Sequence, residues 1–552
     1  MSDGHDALAW RDVRVRYPYQ SEDSVGPVSL AVRRGERLLL LGPSGAGKST
    51  LLSTLTGLIP GTIPASVSGE VRLMGRNTAA RTPAEWADTT AWLLQDAEHT
   101  LCGMTVGDEI AFALENRALP ESEIASAVEA AMTRVEIPRQ WRARRTASLS
   151  GGEKQLVALA AAVAQQAPLL VADEPSAHLA PEAADRLRRL ILDDPARTIL
   201  IVDHRLDGLF ASVDRVAVLG RDGGLLAVDA PGPLFRRYGT DLAAMGIWRP
   251  AAAELDAMLA EAGLVAETPP LTVDDALRAI DPPPASTRKA AIGAVSRFVA
   301  GRTLPVPEAE PGEVVAGLFG AACAPLFGPT VLEGITLSVR RGETVAILGR
   351  NGAGKSTFAA SLAGLLRLKA GRREGQPAGM AFQNPESQLI AGSVLDEVAE
   401  ALAADMPAAD AAREAEHLLD AWGLEGLAQR HPFELSQGQK RRLALLCLAA
   451  TDRWPLLILD EPTAGLDAAG VDALARRIAA LAVADRAVAI VTHDMDFALR
   501  TCRRAIVVGN GTIIADRPMN AVAADRALLE RGGLREPAVM PAMRWLGRHA
   551  PC

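Results

Sequence analysis

Residues 42–50 read Gly42-Pro43-Ser44-Gly45-Ala46-Gly47-Lys48-Ser49-Thr50, and residues 349–357 read Gly349-Arg350-Asn351-Gly352-Ala353-Gly354-Lys355-Ser356-Thr357. Both fit G-x-x-x-x-G-K-[ST]. Each follows an apolar run, Leu38-Leu39-Leu40-Leu41 in one case and Val345-Ala346-Ile347-Leu348 in the other, and precedes an apolar-periodic stretch that predicts a helix. A strand, a glycine-rich loop and a helix start are what a polyphosphate site needs. Glycines let successive backbone N–H groups turn inward, the helix N-terminus adds the positive end of its dipole, and the lysine supplies a full charge. One such match could be a chance turn, but two at the same point of two strand-to-helix units predict a nucleoside triphosphate at each.

Working outward from the loops, the two halves repeat. Residues 8–15 alternate like a strand, residues 28–32 resume it, and a turn over residues 33–36 leads to the first loop; residues 331–339 and 340–343 do the same before the second. Further landmarks recur in order: Gln95 and Gln383, the signatures at residues 149–155 and 435–440, the apolar runs ending in Asp173-Glu174 and Asp460-Glu461, and His204 and His493. Each half then closes with a strand, a turn and a strand, pivoting on Asp222-Gly223 and Asn510-Gly511. The spacing from glutamine to signature serine is 55 residues against 53, from serine to aspartate 23 against 24, and from aspartate to histidine 31 against 33. Only the step from loop lysine to glutamine differs much, 47 against 28, which puts extra chain between Leu58 and Trp92 of the first half.

At 552 residues the chain is long enough for two or three domains, each burying its own core. An apolar content of 49% and a charged content of 23% are those of a globular protein. The net charge of −9 argues against a broad electrostatic grip on nucleic acid. Cys102, Cys323, Cys447, Cys502 and Cys552 form no C-x-x-C pair, so they read as thiols of a reducing compartment and not as zinc or iron–sulfur ligands. The first ten residues carry charges where a signal peptide needs an apolar core. The most apolar stretches, residues 156–172 and 443–450, are interrupted or too short to cross a bilayer, so work at a membrane would need another chain to span it. Between the copies, residues 250–280 read as short helices broken at Pro269. Asp281-Pro282-Pro283-Pro284 and the proline-rich residues 305–311 then mark a stiff, extended linker with little core potential. Its roughly 35 residues span at most about 110–120 Å, which keeps the halves at high effective concentration.

Phosphate loop, glutamine, LSGGE-like signature, apolar strand ending in Asp-Glu, and histidine stand in the order found in ABC ATPases, and the chain resembles that family over both halves. The resemblance implies an α/β fold of two tandem P-loop NTPase (ABC ATPase) domains. Each would have a RecA-like core, an N-terminal antiparallel β subdomain and a helical signature subdomain. It places nucleotide-binding domains at residues 1–245 and 316–552, a helical tail at 246–281 and a Pro-rich linker at 282–315. In that family two such domains face each other head to tail, so that each ATP lies between one domain's phosphate loop and the other's signature. Here that implies an internal pseudo-dimer with two unequal sites.

The implied roles agree with the chemistry of the residues. Lys48 and Lys355 would reach the β and γ phosphates, while Ser49 and Ser356 offer oxygens to Mg²⁺. Asp173 and Asp460 would hold the metal through water, and Glu174 and Glu461 would be the general bases that orient the attacking water. His204 and His493 would bond the γ-phosphate, and Gln95 and Gln383 would contact the metal and couple the site to a membrane subunit. Ser150-Gly151-Gly152 and Ser436-Gln437-Gly438, each before a predicted helix, suit capping the other site's γ-phosphate. Tyr17 would stack on adenine in the first site, with Phe327 or Phe319 as substitutes in the second. The pattern departs from the family at Gln437, where glycine is usual. It departs again at Ala180, where the second copy keeps the expected aspartate as Asp467. Since both copies keep the glutamate, both are expected to bind ATP and to hydrolyse it at unequal rates.

Residues 382–389, where Glu386 and Gln388 follow Asn384-Pro385, and residues 393–398 are similar to the glutamine-loop region of energy-coupling factor (ECF) transporter ATPases. Residues 245–277 look like the tail those ATPases add. This likeness implies an ATP-hydrolysing subunit on the cytoplasmic face of the membrane. Its partners would be a transmembrane coupling protein and a small substrate-capture membrane protein for a vitamin or a transition-metal ion. Two other readings stand beside it: a soluble tandem ABC protein acting on ribosomes or nucleic acid, and a fused ATPase of a binding-protein-dependent sugar or peptide importer. The first would be expected to carry a strongly basic linker, whereas residues 282–315 hold four basic and three acidic side chains.

Overall fold

Short aliphatic runs bounded by turns, such as Arg37–Leu41 and Thr344–Leu348, are buried on both sides and become central strands. The computed structural model describes residues 6–550 except 44, 95–96, 98–99, 177–178, 180, 204–205, 207, 284–285, 305–311 and 404, and leaves the side chains of residues 181 and 182 aside. The chain divides into two compact units, Met1–Ala291 and Ile292–Cys552.

In the first unit the strands are β1 (Asp6–Arg16), β2 (Val25–Arg33), β3 (Arg37–Leu41), β4 (Ser66–Leu73), β5 (Arg76–Asn77), β6 (Thr90–Leu93), β7 (Leu169–Asp173), β8 (Thr198–Val202), β9 (Arg215–Leu219) and β10 (Leu225–Asp229). The helices are α1 (Lys48–Ser53), α2 (Leu58–Gly61), α3 (Val106–Glu115), α4 (Glu121–Arg134), α5 (Gly151–Ala164), α6 (Pro181–Leu192), α7 (Pro231–Ala244), α8 (Ala251–Glu261) and α9 (Val273–Arg278). One sheet is antiparallel in the order β2-β1-β4-β5. The other runs β10-β9-β3-β8-β7-β6, parallel from β9 to β6 with β10 antiparallel at its edge. Side chains alternate across β3: Leu38 and Leu40 pack with Leu51, Leu52 and Trp10, whereas Leu39 and Leu41 join the core that holds Leu159 and Leu187. The extra chain expected after Leu58 forms β5 and a turn that buries Trp86, whose Nε1 donates to the carbonyl of Thr78.

The second unit contains β11 (Val314–Cys323), β12 (Leu332–Arg340), β13 (Thr344–Leu348), β14 (Ala370–Gly375), β15 (Gly379–Ala381), β16 (Leu456–Asp460), β17 (Ala487–Val491), β18 (Arg504–Gly509) and β19 (Thr512–Pro518). Its helices follow most of α10 (Arg288–Arg302): α11 (Lys355–Ala363), α12 (Val394–Leu402), α13 (Ala408–Ala421), α14 (Gln437–Ala449), α15 (Ala468–Val483), α16 (Met495–Thr501), α17 (Met519–Ala524), α18 (Arg526–Gly532) and α19 (Met540–His549). The antiparallel sheet has three strands, β12-β11-β14, and the mixed sheet runs β15-β16-β17-β13-β18-β19. The strand-turn-strand closures expected at both ends are the antiparallel pairs β9–β10 and β18–β19.

The linker reading needs correction. Much of residues 282–315 is helical, because α10 carries Ala291, Ala294, Val295 and Phe298 at helical spacing and buries all four. The N–H of Leu304 then donates to the carbonyl of Leu499 in α16. Prolines at both ends dominated the composition and hid this stripe. Residues 250–280 are helical on either side of Pro269, as α8 and α9. No helix among the described residues is long and apolar enough to cross a membrane.

Candidate nucleotide-binding sites

Parallel strands deliver all their following loops to one edge of a sheet, which is where ligands meet open α/β folds. In the first unit Leu40 of β3 and Asp173 of β7 both lie opposite Val202 of β8. In the second, Ile347 of β13 and Asp460 of β16 both lie opposite Val491 of β17. The phosphate-loop residues, the Asp-Glu pairs and the residues after β8 and β17 therefore emerge side by side. Gln95, Ser44, His204 and Ala180 fall outside the described residues.

The loops fold as their glycines require. Gly47 and Gly354 cap α1 and α11 in the left-handed region, at φ 79° and 91°. A Cβ at Gly47 would lie 2.3 Å from the carbonyl oxygen of Ser24, and one at Gly349 would lie 2.3 Å from that of Val508. By contrast Gly45 and Gly352, also at positive φ, have nothing within 4 Å of where a Cβ would stand. Packing thus forbids a side chain on one flank of the loop, while the other flank stays open. Inside it, Lys48 Nζ donates to the carbonyls of Gly42 and Pro43 at 2.9 and 3.0 Å, and Lys355 Nζ to those of Gly349 and Arg350 at 2.8 and 3.1 Å. Ala46, Asn351 and Ala353 complete the same turns, and Thr50 and Thr357 lie in the first turns of α1 and α11.

Beside each lysine a serine meets an aspartate. Ser49 Oγ donates to Asp173 Oδ2 at 2.7 Å, and Ser356 bonds the carboxylate of Asp460. Burial pushes the Asp460 carboxyl above its ordinary value, with Glu461 adding to that effect and Ser356, Lys355 and Arg441 opposing it. Burial likewise depresses the Lys355 ammonium, against the pull of Glu461 and Asp460. Asp460 Oδ1 is buried with no hydrogen-bond partner. A hydroxyl and a carboxylate with an unused oxygen form a hard-oxygen donor set that fits Mg²⁺.

Glu174 and Glu461 adopt φ 47° and 48°, a left-handed state that is unusual for a glutamate. Both N–H groups donate back across the sheet, to the carbonyls of Val202 and Val491, at 2.8 Å each. In the second unit His493 Nδ1 lies 2.8 Å from Glu461 Oε1, and Thr492 Oγ1 donates to Oε2 at 3.4 Å, all in buried surroundings. Strain repeated at the same residue of two copies is the kind that functional sites retain. No sequence pattern revealed it.

The signature serines cap their helices. Ser150 caps α5 in a reciprocal pair with Glu153, and Ser436 caps α14 in one with Gln439. Gly151 and Gln437 are exposed beside them, and Gly152 and Gly438 continue the first turns. Asp467 caps α15 by accepting from Gly470 at 2.8 Å. Gln383 is exposed, while the residues after it are pinned. Gln388 accepts from the N–H of Phe382 and donates to the carbonyl of Met380, and Glu386 pairs with Lys440 of α14 at 2.6 Å.

The adenine expectations fare differently. The Tyr17 hydroxyl is 3.0 Å from Thr50 Oγ1, which sets the tyrosine against α1. Phe327 is 97% exposed on the turn between β11 and β12. Phe319 sits within β11 with the Arg372 guanidinium over its ring at 5.0 Å, so that face is taken and the residue is a poor adenine platform. Two elements escaped sequence reasoning altogether. One is the buried set Ser176, Arg188 and Asp203 of the first unit, linked at 2.6 and 3.0 Å through Ser176. The other is Arg441 of α14, whose partners are described below.

Two sheets whose phosphate loops, Asp-Glu ends and strand-end residues share an edge define a P-loop NTPase built twice. The ABC transporter family profile matches residues 25–177 and 332–464. The chain is 32% identical over 557 residues to a "Putative ABC transporter ATP-binding protein" of Methanosarcina acetivorans, covering 95% of this chain and 88% of the relative. It is 31% identical over 529 residues to "Putative HMP/thiamine import ATP-binding protein YkoD" of Bacillus subtilis, covering 92% and 91%. The fold is also that of the solved "RNase-L Inhibitor", with a TM-score of 0.59 at 20% identity over 93% of this chain and 91% of that one. The chain belongs to the ABC transporter family as a tandem ATP-binding protein, and its activity is that of an ATPase.

Proposed function

We propose that this ATPase powers an importer of ECF type, with separate membrane subunits that capture and pass a vitamin or a transition-metal ion. The observation that carries the reading is the pinned glutamine loop of the second unit. There Glu386 and Gln388, the residues that make the loop similar to ECF ATPases, tie it to α14 and β15. Similarity over nearly the whole chain to a relative named for HMP/thiamine import supports the same reading.

In this reading Lys48 and Lys355, with the loop N–H groups, hold the phosphates. Ser49 with Asp173 and Ser356 with Asp460 would hold Mg²⁺, which when bound neutralises phosphate charge. Glu174 and Glu461 orient and deprotonate the attacking water, and the histidines sense the γ-phosphate. ATP binding and phosphate release shift the protein between two states, and that change is the stroke passed to the membrane subunits.

The test is affinity purification of the tagged chain from detergent-solubilised membranes. Co-purification of an integral coupling protein and a small capture protein, with ATP-dependent uptake in vesicles containing all three, supports the reading. Recovery with ribosomal subunits and no membrane protein would replace it.

A further inference from the structure

Arg441 lies early in α14, the helix that the signature serine Ser436 caps, and its side chain leaves that helix for the catalytic edge. Nη1 donates to the backbone carbonyl of Glu461, and Nη2 to that of Gln383 at 3.0 Å. The guanidinium is largely buried, and burial lowers its pKa against the pull of the Glu461 and Asp460 carboxylates. Its Nε is buried with no acceptor. A desolvated cation with an unmet donor is a cost to folding, so stability alone gives no reason for it. A cavity of about 320 Å³ adjoins it, lined by Arg441 together with Phe382, Pro385, Trp422, Leu445 and Leu474.

What the guanidinium grips is unusual. Glu461 stands at φ 48°, and its strained backbone is fixed by a bond from its N–H to the carbonyl of Val491 and by the Arg441 bond to its own carbonyl. One cation therefore joins three parts of the site: the strand-end glutamate, the glutamine loop and the signature helix. The first unit is built otherwise. Gln155 occupies the matching place on α5 and donates to the carbonyl of Leu94 at 3.1 Å.

We propose that Arg441 is a positioning residue for ATP cleavage in the second unit. It fixes the backbone of Glu461 and makes the orientation of that carboxylate follow the movement of α14 and the glutamine loop. The inference rests on the reading of Glu461 as the general base.

The experiment uses the full chain carrying Glu174→Gln, which leaves turnover to the second unit. Adding Arg441→Gln, the residue of the first copy, is expected to lower kcat about tenfold or more with KM for ATP within about threefold. Arg441→Lys restores part of the rate. A trinitrophenyl-ATP titration and a melting curve on the same samples show that nucleotide affinity and fold persist. A kcat within about twofold of the parent, a loss confined to KM, or a loss that Arg441→Lys does not relieve overturns the proposal. Glu461→Gln in the same background separates the two ideas. If it leaves turnover intact, the base assignment fails; if it abolishes turnover while Arg441→Gln does not lower kcat, the positioning role fails alone.

Discussion

A glutamate held at φ near 48° in both copies is the residue on which turnover is expected to depend. Exchanging Glu174→Gln together with Glu461→Gln keeps size and hydrogen bonding but removes the base. ATP hydrolysis should fall by about 10²–10⁴-fold while equilibrium ATP binding persists, and phosphate release together with nucleotide titration checks both halves of that statement. Asp460 offers a second test with a defined sign. Its folded pKa lies above the ordinary 3.8, chiefly through burial. Between these two values the folded protein holds a proton that the unfolded chain has lost. The unfavourable contribution of the carboxylate therefore grows as pH rises through that window and is full above it. Asp460→Asn should then raise the melting temperature of the nucleotide-free protein at neutral pH, with the gain shrinking toward pH 3.8, while Mg²⁺-dependent turnover is lost. A variant that melts lower at neutral pH would contradict this account of the charge. Little of this was visible in the chain as written, since Asp460 and Glu461 were legible as a motif but their strain and desolvation come from β17 and α11 packing around them.

At the scale of single elements, the phosphate loops separate two requirements that a glycine can meet. Gly47→Ala must place a Cβ 2.3 Å from the Ser24 carbonyl at a positive φ, and is expected to abolish nucleotide binding in the first unit or its folding. Gly45→Ala meets open space, so it carries only the left-handed backbone cost of about 1–2 kcal/mol. Chemical denaturation and ATP titration of the two variants should differ accordingly. Helix α10 is a second case. Phe298 is fully buried in a stretch whose flanking prolines predict extended chain, and Phe298→Ala is expected to cost about 3–5 kcal/mol in denaturant unfolding. A change under about 1 kcal/mol would return this segment to the status of a linker. Strands were the easiest elements to read, because an apolar run of five residues before a glycine turn has few alternatives. The α10 stripe is only weakly amphipathic over its fifteen residues, so the prolines on either side outweigh it in the sequence.

For the whole molecule, the consequence of the repeat is inequality. The second unit anchors the carbonyl of its glutamate with Arg441, while the first places Gln155 at the matching position, where it donates to the carbonyl of Leu94. Glu461→Gln alone is therefore expected to cost more steady-state turnover than Glu174→Gln alone, read as phosphate release at saturating ATP. Equal losses would mean that these differences do not reach the chemistry. The chain as written determined that there are two nucleotide-binding units and the order of their motifs. All of that is encoded locally, in glycine loops, strand-length apolar runs and helix caps. Tertiary structure alone decided that Arg441 reaches carbonyls 20 and 58 residues away, that Arg372 covers Phe319, and that two strand-end glutamates sit in a strained state. A long flexible side chain can reach many partners, and only the packing of distant segments fixes which one it meets.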